Sequence, residues 1–182
     1  MKKNIEKEYK ILLTKEQFEQ LCSQYPNLSF QRQVNTYYDT SDFTVRAHKG
    51  AMRIREKNGH FIFTLKMHSE EGLLEYECET VENTPDVFHK EDIHTLLTSY
   101  GIHGPVHCVA QLTTNRAVVN TGYAELCFDI SQYSGHTDYE IEYEYLKEHD
   151  GLTCFQKILE PIGVTYTENC ASKIQRAMAC DS

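Results

Sequence analysis

Residues 52–67 read MRIREKNGHFIFTLKM. Asn58-Gly59 sits at the centre of this stretch. A two-residue Asn-Gly loop is the strongest short-range signal for a β-hairpin, because both of its residues tolerate positive φ. The first arm alternates: Met52 and Ile54 share one parity, Arg53 and Arg55 the other. Successive side chains of a strand point to opposite faces. This hairpin therefore has one apolar face and one face that carries arginines, and Lys66 interrupts the apolar run of its second arm.

The same alternation extends outward on both sides. Upstream, Ile5, Lys7, Tyr9 and Ile11 share one parity while Glu6, Glu8 and Lys10 share the other, which predicts a strand over 4–13. A helix should follow, with Thr14 as N-cap, Gln17 completing a capping box, and Phe18, Leu21 and Cys22 at helical spacing. A second strand is expected over 30–39, then a short helix capped by Ser41 and ending near Gly50. Downstream of the hairpin, LLEYECETV predicts a strand over 73–81, and the pattern breaks around Pro85. A helix over 90–100 places Ile93, Leu96 and Leu97 on one side. Three strands over 106–119, 123–133 and 137–146 are punctuated by Thr121-Gly122 and Ser134-Gly135, and helices are expected over 151–162 and 171–179. Eight long strands at this size, mostly sequential, predict an α+β fold: an eight-stranded antiparallel β-barrel, closed or nearly so, with helices packed outside. No repeat or linker divides the 182 residues, so a single domain spanning 1–182 is expected.

Hydrophobic residues make up 40% of the sequence and charged residues 25%, an ordinary globular balance. The net charge of −9 argues against a nucleic-acid binder, which would show a basic field. The seven cysteines form no C-x-x-C pair, so reduced thiols in a cytoplasmic protein are expected, most of them filling core space. MKKN is followed by no apolar leader region, and no stretch approaches the roughly 20 apolar residues of a membrane helix, so no membrane association is expected.

Charge is distributed unusually over the strands. Glu75, Glu77 and Glu79 share one parity, as do Glu140, Glu142 and Glu144. Arg116 and Asp129 interrupt otherwise apolar strands. A solvated sheet face would account for alternation alone, but not for acid-only and arginine-bearing rows in separate strands. Acids and bases facing a common lumen would suit a polyphosphate bound with a divalent cation. Arginine and lysine neutralise phosphate oxygens, and Mg²⁺ or Mn²⁺ prefers carboxylate ligands. Two glutamates at i and i+2 of a strand can share one ion.

Glu6-Lys7-Glu8-Tyr9-Lys10 also matches the E-x-E-x-K motif that opens the CYTH domain, the fold of the triphosphate tunnel metalloenzymes. In family order there follow YYDT at 37–40, Arg53 and Arg55, Lys66, Glu75, Arg116, Asp129, the Glu140/Glu142 pair, and Lys173 in SKIQRA. The sequence resembles the compact bacterial branch of this family, often labelled adenylate cyclase. The resemblance implies a tunnel whose metal ligands are Glu6, Glu8, Asp129, Glu140 and Glu142, holding Mg²⁺ or Mn²⁺. It implies catalytic roles for Glu6, Glu8, Lys10, Glu75 and Asp129, with Glu75 and Asp129 serving metal or attacking water. It assigns phosphate binding to Lys10, Arg53, Arg55, Lys66, Arg116 and Lys173. The expected function is metal-dependent hydrolysis of a linear triphosphate, inorganic triphosphate first. The alternatives are adenylate cyclase, thiamine triphosphatase, and a nucleotide- or polyphosphate-binding module without turnover. The expected partner is a polyphosphate or nucleoside triphosphate, and the outer helices offer a surface for a homodimer.

Overall fold

The computed structural model describes residues 1–180. Nine strands, β1 (Lys2–Glu6), β2 (Glu8–Leu13), β3 (Gln31–Thr40), β4 (Ala51–Lys57), β5 (His60–Ser69), β6 (Gly72–Thr80), β7 (Val106–Asn120), β8 (Ala124–Tyr133) and β9 (His136–Tyr145), are interspersed with five α-helices. These are α1 (Lys15–Cys22), α2 (Thr44–Ala47), α3 (Glu91–Ser99), α4 (Gly151–Leu159) and α5 (Lys173–Cys180). The chain divides into two compact units. One contains Met1–Glu6, Gln33–Leu112 and the segment from Ile174; the other contains Lys7–Arg32 and Thr113–Lys173.

In the first unit the strand order is β1-β6-β5-β4-β3, antiparallel at each step. The β4–β5 hairpin forms as the sequence predicts, with Asn58 at φ 52° and Gly59 at φ 76°. Its register sets Arg53 opposite Thr64 and Arg55 opposite Ile62. The other parity, with Met52, Ile54, Phe63, Leu65 and Met67, is fully buried. It packs with Ile93 and Leu97 of α3 and with Val87 and Phe88 of the short 3₁₀ turn Pro85–His89. Gly50 lets β4 approach β5 closely: a Cβ there would come within 2.5 Å of the Met67 sulfur and 2.8 Å of the Lys66 carbonyl.

In the second unit the order is β7-β8-β9-β2. The expected capping box is present. Thr14 Oγ1 accepts the Gln17 N–H at 3.1 Å, and Gln17 Oε1 accepts the Thr14 N–H at 3.0 Å. α1 then buries Phe18 and Leu21 with Phe128, Ile141 and Tyr143 of the sheet and Phe155 and Leu159 of α4. Burial of each such residue contributes about 1.5–3 kcal/mol.

The α+β class and the antiparallel sheet agree with expectation; two details differ. The expected first strand breaks at Lys7, which makes nine strands of eight. β1 pairs with β6, whereas β2 pairs with β9, so the backbone changes partner between Glu6 and Glu8. The Lys7 carbonyl accepts the Tyr145 N–H at 2.9 Å at this change. The second difference is the cap of α2. Ser41 does not cap it. The buried Asp39 carboxylate accepts the N–H groups of Thr40, Val45 and Arg46 at 2.8, 2.9 and 3.0 Å, and Thr40 Oγ1 accepts that of Thr44 at 3.0 Å. A buried carboxylate is the stronger acceptor for orphan helix donors.

Candidate active site

Register places the charged groups of the second unit on one sheet face. Arg116 lies opposite Asp129, and Asp129 opposite Glu140. In the next row Cys127 lies opposite Glu142, and Glu142 opposite Lys10. Glu125, Glu144 and Glu8 form a third row. Asp129 and Glu140 are essentially buried, at 0% and 1% exposure. A carboxylate oxygen from each of Asp129, Glu140 and Glu142 lies within 4.8 Å of the others.

Two cations hold these acids together. The Arg116 guanidinium donates from Nε to Asp129 Oδ1 at 2.7 Å and from Nη2 to Asp129 Oδ2 at 2.5 Å, and it also donates to Glu142. The Lys173 ammonium, at the first residue of α5, contacts Asp129 Oδ2 at 2.8 Å, Glu140 Oε1 at 2.9 Å and Glu142 Oε1 at 2.5 Å. Lys10 pairs with Glu8 at 2.6 Å.

These contacts fix the protonation states. Burial works to raise the Asp129 and Glu142 carboxyls, but Arg116 and Lys173 outweigh it and hold both below the usual carboxylate range. Burial works to lower the Lys173 ammonium, and Asp129, Glu142 and Glu140 reverse it, raising it well above the ordinary lysine value. Lys10 is raised in the same way by Glu8, Glu142 and Glu140 against its own burial. The thiol of Cys127, on the same face, is pushed up to about 12, chiefly by burial.

The first unit carries a smaller charged cluster on its own sheet face. Lys66 Nζ lies 2.6 Å from both carboxylate oxygens of Glu6 and 3.1 Å from Glu75 Oε2. Lys66 and Glu75 are register partners. Arg53 and Arg55 share this face, and Arg55 Nε donates to Asn35 Oδ1 at 2.9 Å. Glu77 accepts a hydrogen bond from Thr64 at 3.1 Å, and Glu79 is exposed.

The structure thus gathers Asp129, Glu140, Glu142, Arg116 and Lys173 into one cluster, with the Glu8–Lys10 pair on the same face. It gathers Glu6, Lys66 and Glu75 into another. Sequence reasoning did not find Asn169. Its Oδ1 accepts the Lys10 N–H at 2.8 Å, and its Nδ2 donates to the Glu8 carbonyl at 3.1 Å. Asn169 therefore fixes the backbone of the E-x-E-x-K segment four residues before Lys173. Only its place just ahead of SKIQRA could have suggested this. Three buried carboxylates converging on one point also offer the hard oxygen donor set that Mg²⁺ or Mn²⁺ prefers.

An antiparallel α+β protein with buried, ion-paired carboxylates on its sheet faces is thereby defined. The CYTH domain model matches residues 4–177, and the protein belongs to that family. It is 33% identical over 177 residues to YjbK of Bacillus subtilis, provisionally named a triphosphatase, with 92% of each sequence aligned. The crystal structure of a Bacillus halodurans protein provisionally named an adenylate cyclase is 33% identical. It matches with a TM-score of 0.86, over 97% of this protein and 98% of that one. A Hippeastrum protein, likewise provisionally named an adenylyl cyclase and described as having a dominant triphosphatase activity, shares the fold at 21% identity. Its TM-score is 0.74, over 96% of each protein. Among the described residues no helix is long and apolar enough to cross a membrane.

Proposed function

We propose that this protein is a cytoplasmic hydrolase of linear triphosphates, with inorganic triphosphate as first substrate and Mg²⁺ or Mn²⁺ as cofactor, and that residues 1–182 act as one catalytic domain. The observation that carries this reading is the convergence of Asp129, Glu140 and Glu142 with Arg116 and Lys173 in one buried cluster. Support also comes from membership of the CYTH family and from the triphosphatase name of the Bacillus subtilis relative.

Asp129, Glu140 and Glu142 would hold the cation, and the expected ligand set also includes Glu6 and Glu8. When bound, the cation neutralises charge on the phosphate oxygens. Arg116, Lys173, Lys10, Arg53, Arg55 and Lys66 bind the polyphosphate, neutralising its oxygens. Phosphoryl transfer depends mainly on positioning and charge neutralisation, which this set of residues supplies. Glu75 and Asp129 serve the metal or the attacking water, and a carboxylate takes the proton of that water. The water oxygen bonds to the terminal phosphorus as the bridging P–O bond breaks, and pyrophosphate leaves.

The test is phosphate release from inorganic triphosphate, ATP and thiamine triphosphate with Mg²⁺ or Mn²⁺, alongside Glu140→Gln. Release from triphosphate that is lost in the variant is the expected result. Cyclic AMP with pyrophosphate from ATP would identify a cyclase instead, and tight ATP binding without turnover a sensor.

A further inference from the structure

The Lys173 ammonium has three N–H donors, and each meets a different carboxylate: Asp129, Glu140 and Glu142, at 2.8, 2.9 and 2.5 Å. These are the same three acids whose oxygens converge as a cation site. A metal ion drawing on those oxygens and the Lys173 ammonium would compete for one position. Charge balance points the same way. Three carboxylates against Lys173 and Arg116 leave the cluster with one negative charge. Exchanging the ammonium for a divalent ion brings the cluster to neutrality, whereas adding the ion beside the ammonium leaves it positive.

Lys173 is also placed to move. It is the first residue of α5, and the residues just before it form no helix or strand. Just upstream, the Asn169 side chain bonds the Lys10 N–H and the Glu8 carbonyl, and the Cys170 N–H donates to the Lys10 carbonyl at 3.2 Å. Between Cys170 and Lys173 lie only Ala171 and Ser172. The flexible four-carbon stem of lysine lets the ammonium leave the acids without moving this backbone.

We propose that Lys173 is the resident cation of the Asp129–Glu140–Glu142 cluster, and that a divalent metal takes its place and releases its ammonium toward the substrate's phosphates. One lysine thereby links metal entry to phosphate binding: without metal it closes the site, and with metal it becomes a phosphate ligand. This rests on the reading of the cluster as a metal site.

The experiment is calorimetric titration of substrate-free protein with Mn²⁺, comparing wild type with Lys173→Met, which keeps the aliphatic stem and removes the charge. Circular dichroism confirms that the variant is folded. Removal of an internal competitor is expected to tighten Mn²⁺ binding about tenfold or more, since a buried ammonium shared by three acids must otherwise be displaced. In parallel, acetylation of Lys173 in wild type, followed by mass spectrometry, is expected to speed up several-fold on adding Mn²⁺. If wild type binds Mn²⁺ and the variant binds it no more tightly, with acetylation unchanged by metal, the exchange is refuted while the metal site stands. If neither protein binds Mn²⁺, the metal reading falls, and the exchange with it.

Discussion

Replacing Arg116 by Met tests the electrostatic reading of the cluster most directly. The guanidinium makes two hydrogen bonds to Asp129, which is fully buried, and one to Glu142. Met preserves the stem and removes the charge. Breaking one side of a buried ion pair costs about 3–5 kcal/mol, because the remaining charge has lost its compensation. For a protein of this size each kcal/mol moves Tm by about 2–4 °C, so Tm should fall by about 6–20 °C at pH 7 in the presence of a chelator. Lys15→Met is the control. Lys15 pairs with Glu19 at 3.7 Å, and both side chains are mostly exposed, so its loss should cost well under about 1 kcal/mol. The pH dependence supplies a second readout. In wild type, Asp129 and Glu142 are held below the usual carboxylate range. Their contribution is therefore present above the unfolded values near about 4 and is lost as pH falls through the depressed folded values. Without Arg116, burial acts on Asp129 with only Lys173 to oppose it, and that gain shrinks. The stability difference between wild type and variant should therefore widen between pH 3 and pH 6, as followed by urea denaturation. A Tm within about 3 °C of wild type, with parallel pH profiles, would refute the cluster as a tightly coupled buried network.

Three further outcomes are expected. Mg²⁺ or Mn²⁺ at a hundred times its apparent Kd should stabilise the protein by about 2.7 kcal/mol, raising Tm by roughly 5–10 °C, and Glu140→Gln should lose most of that rise; a flat titration of wild type would count against a metal site. Asp39→Ala should cost about 2–4 kcal/mol, since three N–H groups lose a carboxylate acceptor, and hydrogen exchange at Val45 and Arg46 should quicken; unchanged exchange there would show that Asp39 is not the cap of α2. Lys173 is raised well above its ordinary value, so its contribution is complete below about pH 10 and is lost as pH rises through the raised value; the alkaline loss of stability should be shallower in Lys173→Met, and identical alkaline limbs would contradict the ion-paired ammonium.

Local signals in this sequence proved reliable where the physics was local. Asn58-Gly59 and the Thr14/Gln17 capping box each involve residues within a few positions, and each appears as read. The charged parities survived for the same reason: alternation along a strand fixes which of its side chains share a face, so Glu140 and Glu142 could be paired before their register was known, whereas only register brings Arg116 and Asp129 of the neighbouring strands beside them. The break at Lys7 was hidden, because alternation runs through it undisturbed and only the change of pairing partner, from β6 to β9, interrupts the strand. For α2 the sequence offers both Ser41 and Asp39 as cap residues by proximity, and burial, which proximity does not show, makes Asp39 the stronger acceptor. The reach of Lys173 into three carboxylates depends on contacts 31 to 44 residues away in sequence, which no local pattern records.

The Asn169 amide has a consequence for the edge of the sheet as well. β2 ends the strand order of its unit, so one of its sides has no neighbouring strand there. The backbone groups of such a side are an invitation to a strand from another molecule. Asn169 presents its amide oxygen and NH₂ to the Lys10 N–H and the Glu8 carbonyl, the Cys170 N–H meets the Lys10 carbonyl, and the Tyr166 hydroxyl donates to Asn169 Oδ1 at 2.9 Å. A single asparagine amide thus imitates a rung of a further strand and occupies backbone groups that such a strand would need. The residue that fixes the backbone of the E-x-E-x-K segment also covers backbone groups on the open side of β2.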